Sequence, residues 1–375
     1  MKSIAAKILL FIACIACVAY LFACSSARPT SYSDAIGEKT FDIVAVGKDT
    51  DAAHEYLLSA VKEVLSAISD DDRGISDFNS AIGRVYEGEE NILGEREKYV
   101  SVEVNRRTYD AVLEAKRLYA LTNETFNVCS GGLSELWATT IPTDAQLAVE
   151  TMGVNNPLLL LESVQGGKYY LDKSIYPEPD GSVVKEHTFV SFSSMSDGFA
   201  LDCAIDTAGK LNVSGFSAKI GTVAAFTGKS ARKDGKWLYP VCSNGGISLI
   251  DLLIPGGYSV AVFDVDNGAK TIGDLYVGGA FDPMTGVPTT LLKIDDGQYV
   301  RKNDYVVFSA VVARSAAEAQ ALCLYSAITG ERAAEKLKQT TLFSFAVTRG
   351  GNVYVTGVAD YELKAALCDY KIITQ

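Results

Sequence analysis

The chain has 375 residues, of which 48% are apolar and 21% are charged, with 32 glycines and 9 prolines. This much apolar material supports a sizeable folded core and excludes a disordered, collagen-like or coiled-coil chain. The formal net charge of −12 argues against a nucleic-acid partner, because phosphate backbones attract basic surfaces. Only two histidines occur, so a metal site built from several histidines is excluded.

The N-terminus has the pattern of a targeting segment over residues 1–23, with lysines near its start and an apolar run from Ile8 to Phe22. This run is short for a membrane-spanning helix, which needs about 20 apolar residues. It ends in Leu21-Phe22-Ala23-Cys24, which resembles a bacterial lipobox, so we expect Cys24 to carry a lipid. The sequence therefore predicts an extracytoplasmic lipoprotein held at a membrane by its lipid anchor only. An uncleaved anchor helix is the alternative.

Residues 24–39 are polar and predict a short tether, followed by one folded domain over residues 40–375. The first strand is predicted at Phe41–Val46. Apolar residues spaced three and four apart then predict a helix over Asp51–Ser69, whose His54 we expect at the surface rather than in a ligand site. The remaining predicted helices are Thr108–Leu121, Thr143–Met152, Gly198–Leu211 and Ser315–Ile328, and the remaining strands are Tyr99–Val104, Thr188–Phe192, Ser259–Phe263, Tyr305–Val312 and Leu342–Val347.

These helices and strands mix without strict βαβ alternation, so we predict the α+β class. Five cysteines lie in the predicted domain, far apart and among small or apolar neighbours. They predict no disulfide framework, and most are expected to be buried small hydrophobic residues, namely Cys129, Cys203, Cys242, Cys323 and Cys368.

The most specific patterns lie in four segments, while the common phosphate-loop, dinucleotide, serine-hydrolase and zinc-protease motifs are absent from the sequence. In chain order the segments are Ser80–Arg84 (SAIGR), Thr122–Asn127 (TNETFN) leading to Trp137, Ser191–Asp202 (SFSSMSDGFALD) and Phe281–Gly286 (FDPMTG). Together with the lipobox and a later Ala319-Gln320-Ala321-Leu322, they resemble the FAD:protein FMN transferase family, the ApbE-like flavin transferases. The resemblance covers roughly residues 40–350 and implies a T-fold-related mixed sheet domain with flanking helices.

This resemblance also implies an activity, in which FMN passes from FAD to a Thr or Ser hydroxyl of an acceptor flavoprotein that carries an S/T-G-A-T motif. FAD and Mg²⁺ are the implied cofactors, and Mg²⁺ prefers oxygen ligands. By resemblance the flavin would lie near Thr125, Phe126, Asn127, Ser191, Asp197, Asp282 and Thr285. The metal positions correspond to Ser194, Gln320 and Leu324.

Two of these metal positions do not match the chemistry of Mg²⁺. Gln320 and Leu324 stand where the family has Asp and Thr, so an uncharged amide and an aliphatic side chain replace a carboxylate and a hydroxyl. Asp197 admits two interpretations, a group facing the ligand or a carboxylate favoured by a helix N-terminus. We therefore assign no catalytic residue, and whether the chain is an enzyme stays open.

Further departures from the family fall on the expected ligand side. Glu124 replaces a glycine, Gly279 replaces a histidine, and Val262-Phe263-Asp264 replaces T-S-G. Two functions follow from this pattern. One is a flavin transferase with a rearranged metal shell, and the other is a non-catalytic lipoprotein that binds a flavin, another ligand or a partner on the same scaffold.

Overall fold

The computed structural model describes residues 28–90, 96–154, 160–177, 183–184, 189–208, 211–294 and 298–374. The predicted targeting segment 1–23 and the predicted lipidation site Cys24 lie outside these residues. In the part of the chain that is described, no helix is both long and apolar enough to cross a membrane.

The strands are short and numerous, and they occur along the whole described chain. They are, in chain order, β1 (Pro29–Ile36), β2 (Lys39–Gly47), β3 (Arg84–Glu90), β4 (Arg96–Val104), β5 (Leu161–Gln165), β6 (Lys168–Pro177), β7 (Val183–Val184), β8 (Val213–Ile220), β9 (Val223–Gly228), β10 (Trp237–Cys242), β11 (Ser248–Ile254), β12 (Tyr258–Asp264), β13 (Lys270–Ile272), β14 (Leu275–Val277), β15 (Leu291–Lys293), β16 (Tyr299–Arg301), β17 (Val306–Ala313), β18 (Phe343–Thr348), β19 (Asn352–Gly357), β20 (Asp360–Leu363) and β21 (Lys371–Thr374).

The helices alternate with these strands at irregular intervals. They are α1 (Thr50–Ala67), α2 (Arg73–Asn79), α3 (Arg106–Leu121), α4 (Gly131–Leu136), α5 (Asp144–Val154), α6 (Ser196–Thr207), α7 (Ala316–Thr329) and α8 (Ala334–Thr340), with short 3₁₀ turns at Gly330–Ala333 and Ala365–Leu367. Each predicted helix is observed, with ends that differ by a few residues.

A nine-stranded sheet organises the fold, in the order β1-β2-β8-β9-β12-β17-β18-β19-β21. Strand β17 shows how it is packed, because its side chains are buried on both faces. Val311 and Ala313 join the core beneath helices α1, α6 and α7, while Phe308 and Ala310 join a second core against β10 and β11. The sheet therefore forms the middle layer of three, and the predicted α+β class is confirmed.

A second sheet, β3-β4-β6-β5 with β7 paired to β6, lies outside this three-layer body. Its strand β4 contributes buried Val100 and Val102 to the main core, next to helix α3. A separate apolar cluster is built around Trp137, Leu147 and Tyr299. That cluster supports the loop that follows β14.

The predicted tether at 24–39 is wrong over much of its length. Pro29–Ile36 forms β1, which pairs antiparallel with β2 at the edge of the main sheet. The segment is polar because an edge strand exposes most of its side chains, so its composition does not distinguish it from a linker. Tyr32 of β1 stacks on the His54 ring at 4.4 Å between centroids, and His54 also contacts Asp34, so His54 is half-buried rather than at the surface.

The predicted strand at Thr188–Phe192 is also wrong. In its described part only Phe189 forms a β-bridge, to Ser130, and the rest is loop. Val190 and Phe192 are nevertheless fully buried, so the apolar pattern reflects burial of a loop and not strand pairing. The five cysteines are all free, and Cys242 and Cys368 are exposed, contrary to the expectation of burial for most of them.

Candidate functional site

A polar cleft of about 920 Å³ lies at one end of the main sheet. The β1–β2 turn, the β8–β9 turn, the end of β12 and the first turn of α6 form its walls. Lys39, Asp197, Gly221, Asp264 and Gln320 contribute to these walls. Of the seven residues predicted to lie near a flavin, only Asp197 lines this cleft.

A smaller cavity of about 160 Å³ adjoins the cleft and shares its residues Asp264 and Gln320. Ser194, Gln320 and Leu324 all line it, so the fold brings together the three positions that the family resemblance assigned to a metal. This convergence could not be read from the sequence, because Ser194 and Gln320 are more than a hundred residues apart.

Gln320 makes a structural contact in this cavity. Its Oε1 accepts a hydrogen bond of 2.9 Å from the backbone N–H of Gly198 in the first turn of α6. In return, the Asp202 carboxylate of α6 accepts bonds of 2.7 and 2.9 Å from the N–H groups of Ala316 and Ala317, which open α7. Each helix thus satisfies backbone donors in the first turn of the other, donors that have no partner within their own helix.

Burial raises the pKa of Asp202 to about 6, and the hydrogen bonds from the two backbone N–H groups oppose this rise in pKa. Gly198 makes the close crossing possible, because a Cβ at this position would lie 2.6 Å from the carbonyl carbon and oxygen of Ala316. The sequence shows Gly198, Asp202 and Gln320 as separate residues. Only the crossing of α6 and α7 shows that these three residues join the two helices.

Mg²⁺ does not fit the three family positions. Leu324 offers no donor atom, Ser194 offers one hydroxyl, and Gln320 offers an uncharged carbonyl oxygen that already accepts from the Gly198 N–H. A Mg²⁺ site normally needs one or two carboxylates among its oxygen ligands. Across the described residues there is no group of three or more His, Cys, Asp or Glu side chains that could hold a metal ion.

One carboxylate does reach the small cavity, and sequence reasoning did not select it. Asp264, at the end of β12, accepts hydrogen bonds from the backbone N–H groups of Asn244 at 2.7 Å and Asp266 at 3.0 Å. Each carboxylate oxygen therefore has one donor and retains a free lone pair. The only signal in the sequence was the departure from T-S-G at this place.

Asp197 is held in an ion pair inside the cleft. Its carboxylate accepts from the Lys39 ammonium at 2.7 and 3.0 Å, and its side chain is only 6% exposed, against 46% for Lys39. Burial raises the pKa of Asp197, and the Lys39 ammonium opposes that rise. Gly221, with a φ of +54°, leaves the space that the carboxylate occupies, because a Cβ would lie 2.7 Å from its Oδ2.

The charge of the cleft is mixed, with an excess of acids. Its charged lining residues are Lys39 and Lys219 against Glu38, Asp42, Asp197 and Asp264. A ligand with several negative charges would therefore need a bound cation to be accommodated here.

Ser191 lies in the loop that precedes α6 and does not line the cleft itself. Its hydroxyl donates to Asp70 at 2.8 Å and lies 3.2 Å from the hydroxyl of Ser193, which itself lines the cleft. Burial raises the pKa of Asp70, although the bond from Ser191 opposes this. Asn79, which the sequence did not indicate, fixes the same loop by bonding both the N–H and the carbonyl of Val190.

The Thr125–Asn127 segment supports the fold and lines neither of the two cavities. Phe126 is 0% exposed and belongs to the main core, and its predicted place beside a flavin stays a prediction. Asn127 is buried, with Oδ1 accepting from the N–H of Cys129, and Thr125 is half-buried. Glu124, which replaces a family glycine, has a left-handed φ of +68°.

Asp282 and Thr285 belong to a tight turn that also lines neither cavity. Asp282 accepts from the N–H of Met284 through its side chain and from that of Gly286 through its carbonyl, while Thr285 is exposed. Gly286, at φ +69°, is anchored by its carbonyl to the Trp137 indole N–H at 2.8 Å. The predicted motif is thus a folded turn, fixed by a buried tryptophan.

The three-layer body, with a polar cleft at one end of its central sheet, defines an α+β protein. The model of the ApbE family matches residues 38–243, which is more than half of the chain. The chain therefore belongs to the ApbE family, and the resemblance drawn from its motifs is confirmed at this level. No curated protein matches the sequence.

Solved structures show the same fold at low sequence identity. The apo flavinyl transferase ApbE of Pseudomonas stutzeri has a TM-score of 0.65 at 13% identity, covering 90% of this chain and 96% of that one. Flavin transferase ApbE from Vibrio cholerae has a TM-score of 0.60 at 18% identity, and the match covers 92% of this chain and 99% of that one. The ApbE protein of Thermotoga maritima has a TM-score of 0.63 at 16% identity, and the match covers 92% of this chain and 99% of that one. At these identities the likeness shows the fold alone.

Proposed function

We propose that this protein is an extracytoplasmic lipoprotein of the ApbE family that keeps the ligand cleft but has lost Mg²⁺-dependent transfer of FMN from FAD. The observation that carries the proposal is the bond between Gln320 Oε1 and the Gly198 N–H, which uses the metal position as a helix cap. Leu324 supports it because this side chain offers no oxygen to a metal ion, and the acidic excess of the cleft supports it because negative charges repel a pyrophosphate.

Titration of the purified full-length chain in neutral detergent with FAD tests this proposal. We expect Mg²⁺ to change the dissociation constant of FAD, followed by flavin fluorescence, by less than threefold. The double variant Gln320→Asp with Leu324→Thr restores the family's donors and is expected to create a Mg²⁺ effect. Gln339→Asp, at an exposed position, is the matched control for the added charge. A tenfold or larger Mg²⁺ effect in the unmodified chain contradicts the proposal.

The alternative function is FMN transfer from FAD to an acceptor flavoprotein with an S/T-G-A-T motif, through a rearranged metal shell. The observation that favours it is Asp264, whose carboxylate enters the same small cavity as Gln320 and Ser194. If this alternative holds, Mg²⁺ strengthens FAD binding in the unmodified chain and Asp264→Asn removes that effect. Incubation with an acceptor peptide and FAD would then yield an FMN adduct by mass spectrometry.

The lipid anchor has its own test. Metabolic labelling with a radioactive fatty acid is expected to mark the chain and to fail for Cys24→Ser. Labelling that survives this substitution would rule out the anchor at Cys24.

A further inference from the structure

Two arginines converge on one phenol oxygen outside the cleft. Arg301, at the end of β16, donates to the Tyr305 Oη through Nε at 3.2 Å and Nη2 at 2.7 Å. Arg349, in the turn between β18 and β19, donates to the same oxygen through Nη1 at 3.4 Å. Both arginines are exposed, whereas Tyr305 is buried at 8% exposure.

No carboxylate of the described residues forms an ion pair with either guanidinium. Elsewhere in the protein, Arg117 and Arg232 lie 2.8 and 3.2 Å from carboxylate oxygens. Two acids near the pair contact other groups instead, since Asp266 accepts from the Tyr276 hydroxyl and Asp304 accepts from the Gly350 N–H. Within the described residues, the two guanidinium groups therefore lie side by side with no carboxylate in direct contact with either of them.

Aromatic rings keep these arginines in place. The Arg301 guanidinium carbon lies 4.8 Å from the centre of the Tyr276 ring and 5.8 Å from that of Tyr305. The Arg349 guanidinium carbon lies 5.9 Å from the Tyr305 ring centre. Stacking of this kind fixes the planar groups but adds no negative charge. Two positive guanidinium groups that share one hydrogen-bond acceptor repel each other, and a bound anion would relieve that repulsion.

We propose that Arg301 and Arg349 form a binding site for a phosphate group. A phosphate presents at least three oxygens and can bridge two guanidinium forks, whereas a carboxylate is matched by a single fork. Tyr305 is the positioning residue, because its oxygen orients both forks before the anion arrives. This site is independent of the cleft and of any metal there.

The site lies at the same end of the main sheet as the cleft. Val306, next to Tyr305, pairs with Thr348, next to Arg349, while Asp264 of the cleft pairs with Phe308 on the same strand. A phosphate presented at this end could belong to a nucleotide, to a lipid headgroup or to a free phosphate. The shared chemistry is the phosphate, and the test separates its sources.

Isothermal titration of the full-length chain in neutral detergent, at low ionic strength, provides the test. The probes are inorganic pyrophosphate, glycerol 3-phosphate as a lipid-headgroup analogue, and FAD without Mg²⁺. We expect saturable binding of at least one probe, weakened about tenfold or more in Arg349→Gln and in Arg301→Gln. Arg73→Gln, which removes an equally positive but 94% exposed side chain, is the control and should bind normally.

The positioning role of Tyr305 has a separate readout. Tyr305→Phe keeps the stacked ring but loses the shared oxygen, so we expect an intermediate loss of affinity with an unchanged dependence on salt, because both charges remain. Binding of pyrophosphate alone indicates a free phosphate, binding of glycerol 3-phosphate indicates a headgroup, and binding of FAD alone indicates a nucleotide. Absence of saturable binding for all three probes, or equal losses in Arg349→Gln and Arg73→Gln, would overturn the proposal.

Discussion

The crossing of α6 and α7 gives the most direct test of how the fold builds the candidate site, through the substitution Gly198→Ala. The added Cβ would lie 2.6 Å from the carbonyl carbon and oxygen of Ala316 and from the N of Ala317. These are backbone atoms, so no side-chain rotation can relieve the overlap, and the helices must separate. Separation weakens the bond from Gly198 N–H to Gln320 and those from Ala316 and Ala317 to Asp202.

The expected loss in the free energy of unfolding for Gly198→Ala can be bounded. Forcing one extra carbon into a packed contact costs about 1–3 kcal/mol, and the rigid backbone places this case near the upper end. The better helix propensity of alanine returns at most about 1 kcal/mol. A net loss of about 2 kcal/mol corresponds to a fall in Tm of about 4 °C, at roughly 2 °C per kcal/mol for a large domain.

Thermal unfolding followed by circular dichroism at a fixed scan rate measures this fall in Tm. Gly245→Ala is the matched control, because beyond the two adjacent residues the nearest atom to its Cβ would be the Ser243 hydroxyl oxygen, at 3.9 Å. If Gly198→Ala melts within 1 °C of the unmodified chain, the two helices are not locked at this contact. The assignment of Gln320 as a structural cap would then fail with it.

Three further substitutions test other contacts of the fold and of the cleft. Glu124→Gly should raise Tm by relieving a left-handed φ that costs a side-chain residue about 1–2 kcal/mol; an unchanged or lower Tm would show that Glu124 is not strained. Trp137→Phe should destabilise the protein by about 1–2 kcal/mol in urea unfolding, because the Gly286 carbonyl loses its bond; no change would mean that the turn is held by packing alone. Lys39→Met should lower Tm more at pH 8 than at pH 4, because burial already raises the pKa of Asp197 and an unpaired carboxylate is unfavourable only above its pKa. Equal losses at both pH values would contradict the ion pair.

The sequence by itself determined the elements that depend on local pattern. Apolar spacing located the helices, and the glycine and proline turns located the loop at Asp282–Gly286, because these features follow from neighbouring residues alone. It also identified the family, through motifs kept in order. It failed at β1, where the polar residues of an edge strand resemble a linker, and at Val190–Phe192, where a buried loop resembles a strand.

The tertiary structure alone decided what the site contains. From the sequence, Gln320 is a metal ligand position without the required charge. In the structure, α7 crosses α6 and directs the Gln320 amide oxygen to the Gly198 N–H. Lys39 and Asp197 are separated by more than 150 residues, and their ion pair exists only because the β1–β2 turn reaches the first turn of α6. Contacts between residues so far apart depend on how the layers stack, and no periodicity within a short window of sequence encodes that stacking.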